Sequence, residues 1–178
     1  MKQALLAIDV QRGLFDGERR PYEADAVIAR INSLTDRARK AGIPVVFVQH
    51  ENPGSPLEYG SENWGLAKHL AISKGDVFLR KTTPDSFLRT NLRDLLGEWG
   101  TEQLVICGYA SEFCVDTTTR RAAALGYSVI VVSDGHTTHD KGHASAAQIR
   151  AHQNATLPAL TSFGPRIEAI KTESVMLG

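Results

Sequence analysis

Short apolar segments alternate with longer amphipathic segments along this chain, and this alternation restricts its possible folds more than any other feature. The apolar segments are predicted strands at 4–8, 45–48, 77–79, 104–106, 129–132 and 167–170. The predicted helices between them cover 24–40, 86–99, 112–125 and 141–157. Strands that are apolar on both faces indicate a parallel sheet covered by helices on both sides. The sequence therefore predicts a single α/β domain over residues 1–178, a three-layer α/β/α sandwich whose Rossmann-like parallel sheet has the order 3-2-1-4-5-6.

The charge balance excludes several classes of partner. The 178 residues include 20 Lys and Arg against 20 Asp and Glu, whereas a nucleic-acid-binding protein normally has a basic excess. No apolar run approaches the roughly 18 residues that a membrane-spanning helix needs. The N-terminus enters the first strand directly and lacks a signal-peptide pattern. We therefore expect a cytoplasmic protein that acts on a small-molecule substrate and binds neither nucleic acid nor a membrane.

The two cysteines differ in their predicted surroundings. Two cysteines do not make a disulfide framework in such a chain, and Cys107 lies within an apolar strand, where it is expected to be packed. Cys114 follows a turn at Gly108 and falls in the first turn of a helix that begins near Ser111. The helix dipole and unpaired N–H groups there would favour a thiolate and could hold an oxyanion. Alternatively, Cys114 is a small buried apolar residue.

Two charged residues stand at the ends of other predicted strands. Asp9 follows the first strand, and Lys81 follows the third. The carboxyl ends of parallel strands meet at one edge of the sheet, and strands 1 and 4 are neighbours in this order, so Asp9, Lys81 and Cys114 are expected to share a crevice. Singly, such residues are often turn, cap or solvated residues. Together they predict nucleophilic acyl transfer, in which Asp9 accepts the thiol proton and Lys81 stabilises the thiolate.

Three segments have the pattern of a known family: DVQ at 9–11, KTTPDSF at 81–87 and GYASEFCVDTT at 108–118. They resemble the isochorismatase-like cysteine hydrolases, a superfamily that includes nicotinamidases and N-carbamoylsarcosine amidases. The resemblance implies the isochorismatase-like hydrolase fold, a homo-oligomer, and a catalytic triad of Asp9, Lys81 and Cys114. It also implies a non-proline cis peptide at Ala110–Ser111, with oxyanion donors at the N–H groups of Ala110 and Cys114. Members that cleave a vinyl ether lack the cysteine, so the resemblance points to cleavage of an amide or related C–N bond.

No metal ion or other cofactor is expected. Metal-dependent nicotinamidases place an Asp and two His after the second and third strands, whereas the segment at 49–52 here is QHEN. A polar cluster after the fifth strand contains Asp134, His136, His139, Asp140 and His143. Its spacing could bind a metal, but we favour a polar loop at the mouth of the site, with Asp140 capping the next helix. No Gly-x-Gly-x-x-Gly pattern follows the first strand, which argues against a dinucleotide.

Five residues are expected to contact the substrate: Gln11, Phe15, Trp64, Phe87 and His136. Gln11 lies beside Asp9 and could orient the site, or it is a simple polar loop residue. The aromatic residues could line a pocket, and His136 could reach the substrate from the rim. Aromatic side chains of this kind could equally anchor a subunit interface. Two alternatives to the cysteine hydrolase stay open: a metal-assisted, nicotinamidase-like amidase, and a non-catalytic thiol sensor or small-molecule binding module.

Overall fold

A single parallel sheet organises the molecule, and the computed structural model describes all 178 residues. The strands are β1 (Gln3–Ile8), β2 (Val45–His50), β3 (Val77–Lys81), β4 (Gln103–Tyr109), β5 (Ser128–Thr137) and β6 (Ile167–Ile170). The helices are α1 (Arg12–Phe15), α2 (Ala24–Lys40), α3 (Leu92–Glu98), α4 (Asp116–Ala124) and α5 (Ala146–Thr156). The strand order is β3-β2-β1-β4-β5-β6, and every paired neighbour is parallel. The predicted fold class and strand order are confirmed.

Helices cover both faces of the sheet. On one face, Leu5 and Ala7 of β1 join an apolar cluster with α2. On the other face, Leu6 and Ile8 join a cluster with α3 and α4. All four side chains are fully buried, which explains why the strand sequences are apolar without alternation. No helix combines the length and the apolar character that crossing a membrane requires.

The helix predicted at 86–99 is shorter in the structure, where α3 begins at Leu92. The preceding residues form turns in which side chains bond to the nearby backbone. The N–H of Phe87 donates to Asp85 Oδ1, and Thr90 Oγ1 donates to the carbonyl of Ser86. Arg89 adopts a left-handed conformation at φ 59°. Such local hydrogen bonds compete with helix formation, which the apolar spacing of this segment does not reveal.

The helix predicted at 141–157 also begins later, at Ala146. Ser145 caps it, because its Oγ accepts from the N–H of Gln148 while the Gln148 side chain accepts from the N–H of Ser145. The N–H of Ala146 donates to Asp140 Oδ1 at 2.7 Å. The predicted capping role of Asp140 is therefore present, although it acts across the turn before the helix rather than at the expected start.

The strands β1 and β4 approach each other very closely where the site begins. Gly108 pairs with Ile8 in the parallel register and has a φ of 116°. A Cβ at position 108 would lie 2.1 Å from the carbonyl oxygen of Ile8. Only glycine fits both this contact and this φ, so β1 and β4 end side by side at the same edge of the sheet.

Candidate active site

The three residues predicted to form the site lie together at the carboxyl edge of the sheet. Lys81, the last residue of β3, places its Nζ 2.8 Å from Asp9 Oδ2 and 3.3 Å from Cys114 Sγ. Asp9 and Lys81 are each only 2% exposed, whereas Cys114 is partly exposed. One ammonium group thus bridges a carboxylate and a thiol in a place where water cannot screen the charges.

Asp9 is held in an unusual backbone conformation. It follows β1 with a φ of 53°, a left-handed value that costs a non-glycine residue free energy. Its N–H donates to the carbonyl of Val48 at 2.8 Å, which fixes the residue against β2. Its Oδ2 accepts from Lys81, and its buried Oδ1 has no hydrogen-bond partner by ordinary geometric limits. Asp9 therefore keeps one carboxylate oxygen available to accept a proton.

Cys114 is a protonated thiol at rest. Burial is the main cause that raises its pKa to about 12, and the negative charge of Asp9 is the next. The positive charge of Lys81 acts in the opposite direction but does not outweigh them. Burial and the neighbouring carboxylate thus oppose the thiolate that the helix start was expected to favour. The thiol must lose its proton as it attacks.

The turn before the nucleophile differs from the prediction by one residue. The cis peptide bond joins Tyr109 and Ala110, not Ala110 and Ser111. Ala110 is the only residue between β4 and a π-helical turn at Ser111–Val115, and its carbonyl accepts from the N–H groups of Phe113 and Val115. The carbonyl of Ala110 therefore anchors the first residues of the turn that carries Cys114. The N–H of Ala110 donates to no acceptor within the protein.

A buried histidine contacts the first residue of this turn. Ser111 Oγ lies 2.8 Å from His136 Nδ1, and His136 Nε2 lies 2.9 Å from Asn154 Oδ1. Because Asn154 Nδ2 donates to the carbonyl of Ser133, its Oδ1 is the acceptor, and His136 carries its proton on Nε2. Burial above all lowers the pKa of His136 to about 4, so the ring is neutral.

The comparisons with known proteins agree with this geometry. The family model named Isochorismatase domain matches residues 3–162. The chain belongs to the isochorismatase family. A crystal structure of an isochorismatase family protein superposes with a TM-score of 0.86 at 37% identity, covering 96% of this chain and 98% of the other. The family resemblance seen in the sequence is therefore confirmed.

Two curated relatives have known activities in their names. The chain is 38% identical over 141 residues to a streptothricin hydrolase of Streptomyces noursei, covering 78% of this chain and 55% of that protein. It is 30% identical over 152 residues to a ureidoacrylate amidohydrolase of Pseudomonas syringae pv. syringae, covering 68% of this chain and 61% of that protein. The chain spans about half the length of the streptothricin hydrolases it matches.

Within this member of the isochorismatase family, His136 does not lie at the rim of the site. It is completely buried because β5 continues to Thr137, well beyond the predicted strand end at Val132. The extension carries His136 beneath the nucleophile turn, where both ring nitrogens have protein partners. Its predicted contact with substrate from the rim is therefore replaced by a supporting role.

The folded protein should lose stability as the pH falls through the range where His136 would titrate. The pKa of His136 is lowered from 6.5 to about 4, so its contribution is present above pH 6.5 and is lost progressively toward about pH 4. We expect a loss of about 3 kcal/mol in the free energy of unfolding relative to the variant His136→Gln, which cannot titrate. Urea unfolding of both proteins across this range measures the difference, and parallel pH profiles would contradict it.

The other members of the polar cluster do not converge on one point. His139 Nδ1 contacts the hydroxyl of Tyr109 at 2.9 Å, and its Nε2 contacts the carbonyl of Arg19 at 3.1 Å. Asp140 bonds to the start of α5, and Asp134 accepts from the N–H and the hydroxyl of Thr172. No three His, Cys, Asp or Glu side chains in the molecule are arranged as metal ligands. The cluster therefore does not fit a metal ion.

The residues predicted as aromatic contacts differ in how deeply they are buried. Phe15 is completely buried, with its ring at an edge-on angle to Tyr109 and a centroid separation of 6.1 Å. Phe87 lies in the apolar layer on the α3 and α4 side, stacked on Tyr127, and Cys114 packs against the same layer. Contact of Phe87 with a substrate stays a prediction. Trp64 is half-buried against Tyr59, and its buried Nε1 has no partner. Trp64 also stays an aromatic candidate for substrate contact.

Gln11 holds the backbone beside the site, in keeping with the orienting role that its place next to Asp9 suggests. Its buried side chain donates to the carbonyls of His50 and Trp64 and accepts from the N–H of His50. Both amide hydrogens are used and the side chain is completely buried, so this arrangement favours positioning of the site over contact with a substrate. His50, which Gln11 holds in place, is a site residue that the sequence did not predict. Its Nδ1 lies 3.3 Å from Lys81 Nζ. Its place at the end of β2, beside Asp9 and Lys81, was the available signal.

Proposed function

We propose that this chain is a cysteine hydrolase that cleaves a small amide or related C–N bond through a thioester on Cys114. One observation carries the proposal: the Nζ of buried Lys81 lies between Asp9 Oδ2 and Cys114 Sγ. A base, a cation and a nucleophile thus meet at one point, which distinguishes Cys114 from an ordinary packed cysteine. The names of two relatives, a hydrolase and an amidohydrolase, support the same class of reaction.

Acylation begins with transfer of the thiol proton to Asp9. The Oδ1 of Asp9 accepts this proton while Cys114 Sγ forms a bond to the substrate carbonyl carbon. The electron pair of the C=O bond moves to the oxygen, and the free N–H of Ala110, with that of Cys114, stabilises the oxyanion. When the oxyanion collapses, the C–N bond breaks and Asp9 returns the proton to the leaving nitrogen. Lys81 keeps the cluster neutral because its positive charge balances first the carboxylate and then the thiolate.

Deacylation repeats the sequence with water as the nucleophile. Asp9, again a carboxylate, accepts a proton from water while the oxygen attacks the thioester carbon. The tetrahedral intermediate uses the same N–H donors. The C–S bond then breaks, Cys114 recovers its proton from Asp9, and the carboxylic acid product leaves. The net reaction consumes one water and yields an acid and an amine or ammonia.

The alternatives receive less support from the same site. A thiol sensor needs a cysteine with a low pKa, whereas burial and Asp9 raise the pKa of Cys114 to about 12. A metal-assisted amidase needs ligands that converge, whereas His136, His139 and Asp140 each bond to a separate protein partner. The hydrolase uses three unusual features of the site: the strained Asp9, the buried Lys81 and the free N–H of Ala110.

Trapping the acyl-enzyme tests the proposal. During hydrolysis of a small amide chosen from a panel, acid quenching and intact mass measurement should find the acyl group attached to the wild-type chain. Added hydroxylamine should divert the same intermediate to a hydroxamic acid, because it attacks thioesters as water does. The Cys114→Ala variant should give neither product. Amide hydrolysis without adduct or hydroxamate, or equal hydrolysis by the variant, would show that Cys114 is not the nucleophile.

A further inference from the structure

His50 lies beside the cation of the site in a position that the proposed reaction does not use. It ends β2, and the register pairs it with Lys81 at the end of β3. Its Nδ1 lies 3.3 Å from Lys81 Nζ. The ammonium therefore has three neighbours within contact distance: Asp9 Oδ2, Cys114 Sγ and His50 Nδ1.

The three neighbours match the three N–H bonds of an ammonium group. The Lys81 side chain is 0% exposed, so water cannot replace a missing acceptor. A buried N–H of a charged group without a partner is costly, and the ammonium would turn toward another acceptor or lose its proton. Each of the three contacts therefore determines where the other two N–H bonds point.

The orientation of the His50 ring is determined by its surroundings. Gln11 bonds to both the N–H and the carbonyl of His50, at 2.9 Å each, which holds the backbone. The backbone of Thr83 lies close enough to the ring to act on its charge. Burial first, and then the charge of Lys81, lower the pKa of His50, which favours the neutral ring. Because an ammonium group can only donate, the Nδ1 that faces Lys81 carries the lone pair and Nε2 carries the proton. A neutral acceptor can take the third N–H of Lys81 and leave the positive charge to stabilise Asp9 and Cys114. A carboxylate at this position would compete with them for that charge.

We propose that His50 is a positioning residue that accepts the third N–H of Lys81 and so directs the other two at Asp9 and Cys114. The role rests on the proposed function, in which Lys81 stabilises the Cys114 thiolate. It acts through Lys81 and requires no contact with the substrate. Without the acceptor, the ammonium would spend less time directed at sulfur, and the thiolate would be less stable.

Two variants of nearly equal shape separate the acceptor from the bulk of the ring. His50→Asn keeps an acceptor at the position of Nδ1, whereas His50→Leu removes it. The readout is the rate at which iodoacetamide alkylates Cys114 between about pH 7 and about pH 9, because this rate follows the thiolate fraction and needs no substrate. Cys107 is completely buried, and the Cys114→Ala variant gives the background rate. We expect alkylation to slow about tenfold at each pH in His50→Leu, the equivalent of one pKa unit, and to stay within about threefold of wild type in His50→Asn.

Two results would overturn the proposal. One is a His50→Leu protein that alkylates at the wild-type rate, and the other is a His50→Asn protein that is as slow as His50→Leu. Thermal unfolding shows whether both variants are folded. If His50→Leu does not fold, His50→Gln replaces it, because its longer side chain moves the acceptor away from Lys81, and the same tenfold loss is expected. Alkylation proceeds without turnover, so its result can be interpreted whether or not the acyl-enzyme experiment succeeds.

Discussion

Replacement of Cys114 by alanine is expected to lower kcat/KM for the best amide substrate by at least about 10⁴-fold. The variant loses the atom that forms the thioester, and the remaining groups can only bind the substrate and orient water. The rate of amide hydrolysis, followed by release of ammonia or amine, measures the loss. Binding of the substrate, measured by calorimetry, should change little, since Sγ contributes to the bond that forms rather than to recognition.

The second cysteine provides the matched control. Cys107 is completely buried in β4, and burial alone raises the pKa of its thiol to about 12. Its Sγ donates to the carbonyl of Leu6 at 3.5 Å, and Cys107 belongs to the apolar cluster with α2, whereas Cys114 packs against the cluster on the other face of the sheet. Cys107→Ala should retain kcat/KM within about threefold, with some loss of stability from the small cavity. Equal losses in the two variants would mean that neither thiol is the nucleophile.

Replacement of Asp9 by asparagine should change two measured rates in opposite directions. The amide keeps the shape of the side chain and an oxygen for Lys81, but it cannot accept the thiol proton, so kcat should fall by about 10³-fold or more. The same change removes the negative charge that raises the pKa of Cys114, while the positive charge of Lys81 stays. Iodoacetamide should therefore alkylate Cys114 faster than in the wild type at about pH 7. Steady-state kinetics and the alkylation assay measure the two effects.

Opposite changes in the rates of hydrolysis and alkylation distinguish a general base from a residue that only maintains the fold. A structural defect would slow hydrolysis without increasing thiolate formation. The control is Asp116→Asn, at the start of α4 two residues after the nucleophile. Its carboxylate pairs with Arg120 on the same helix at 2.9 Å, so hydrolysis and alkylation should stay near wild type. If Asp9→Asn slows both reactions, the assignment of Asp9 as the base is wrong.

The position of the site could be predicted because it depends on topology. Continuous apolar strands separated by helices indicate a parallel sheet. In the predicted strand order, the carboxyl ends of β1 and β4 are neighbours. Asp9, Lys81 and Cys114 are brought together by that rule. The position of His50 follows from the same rule, since it ends β2, although the pattern QHEN at 49–52 indicates only that the metal ligands of nicotinamidases are missing.

Other features depend on packing that linear spacing does not describe. The pKa of Cys114 is raised by burial and by the charge of Asp9, and neither the depth of the thiol nor its distance from Asp9 can be obtained from linear spacing. Phe87 and His136 are buried because of turns and a strand extension that their local sequence does not reveal. The side chain of Gln11 forms hydrogen bonds with the backbone of His50, which is 39 residues away in the chain. Formation of a homo-oligomer and a cytoplasmic location stay predictions.

The four adjacent strands β3, β2, β1 and β4 each end beside one of the groups that meet at the site. Because side chains alternate across a strand, a slip of one residue between β2 and β3 would turn Lys81 to the opposite face of the sheet. Such a misregistered sheet could keep its helices and much of its apolar core, and circular dichroism would scarcely distinguish it from the native protein. Recovery of alkylation and hydrolysis during refolding would therefore report correct strand registration, a property that bulk measures of folding do not detect.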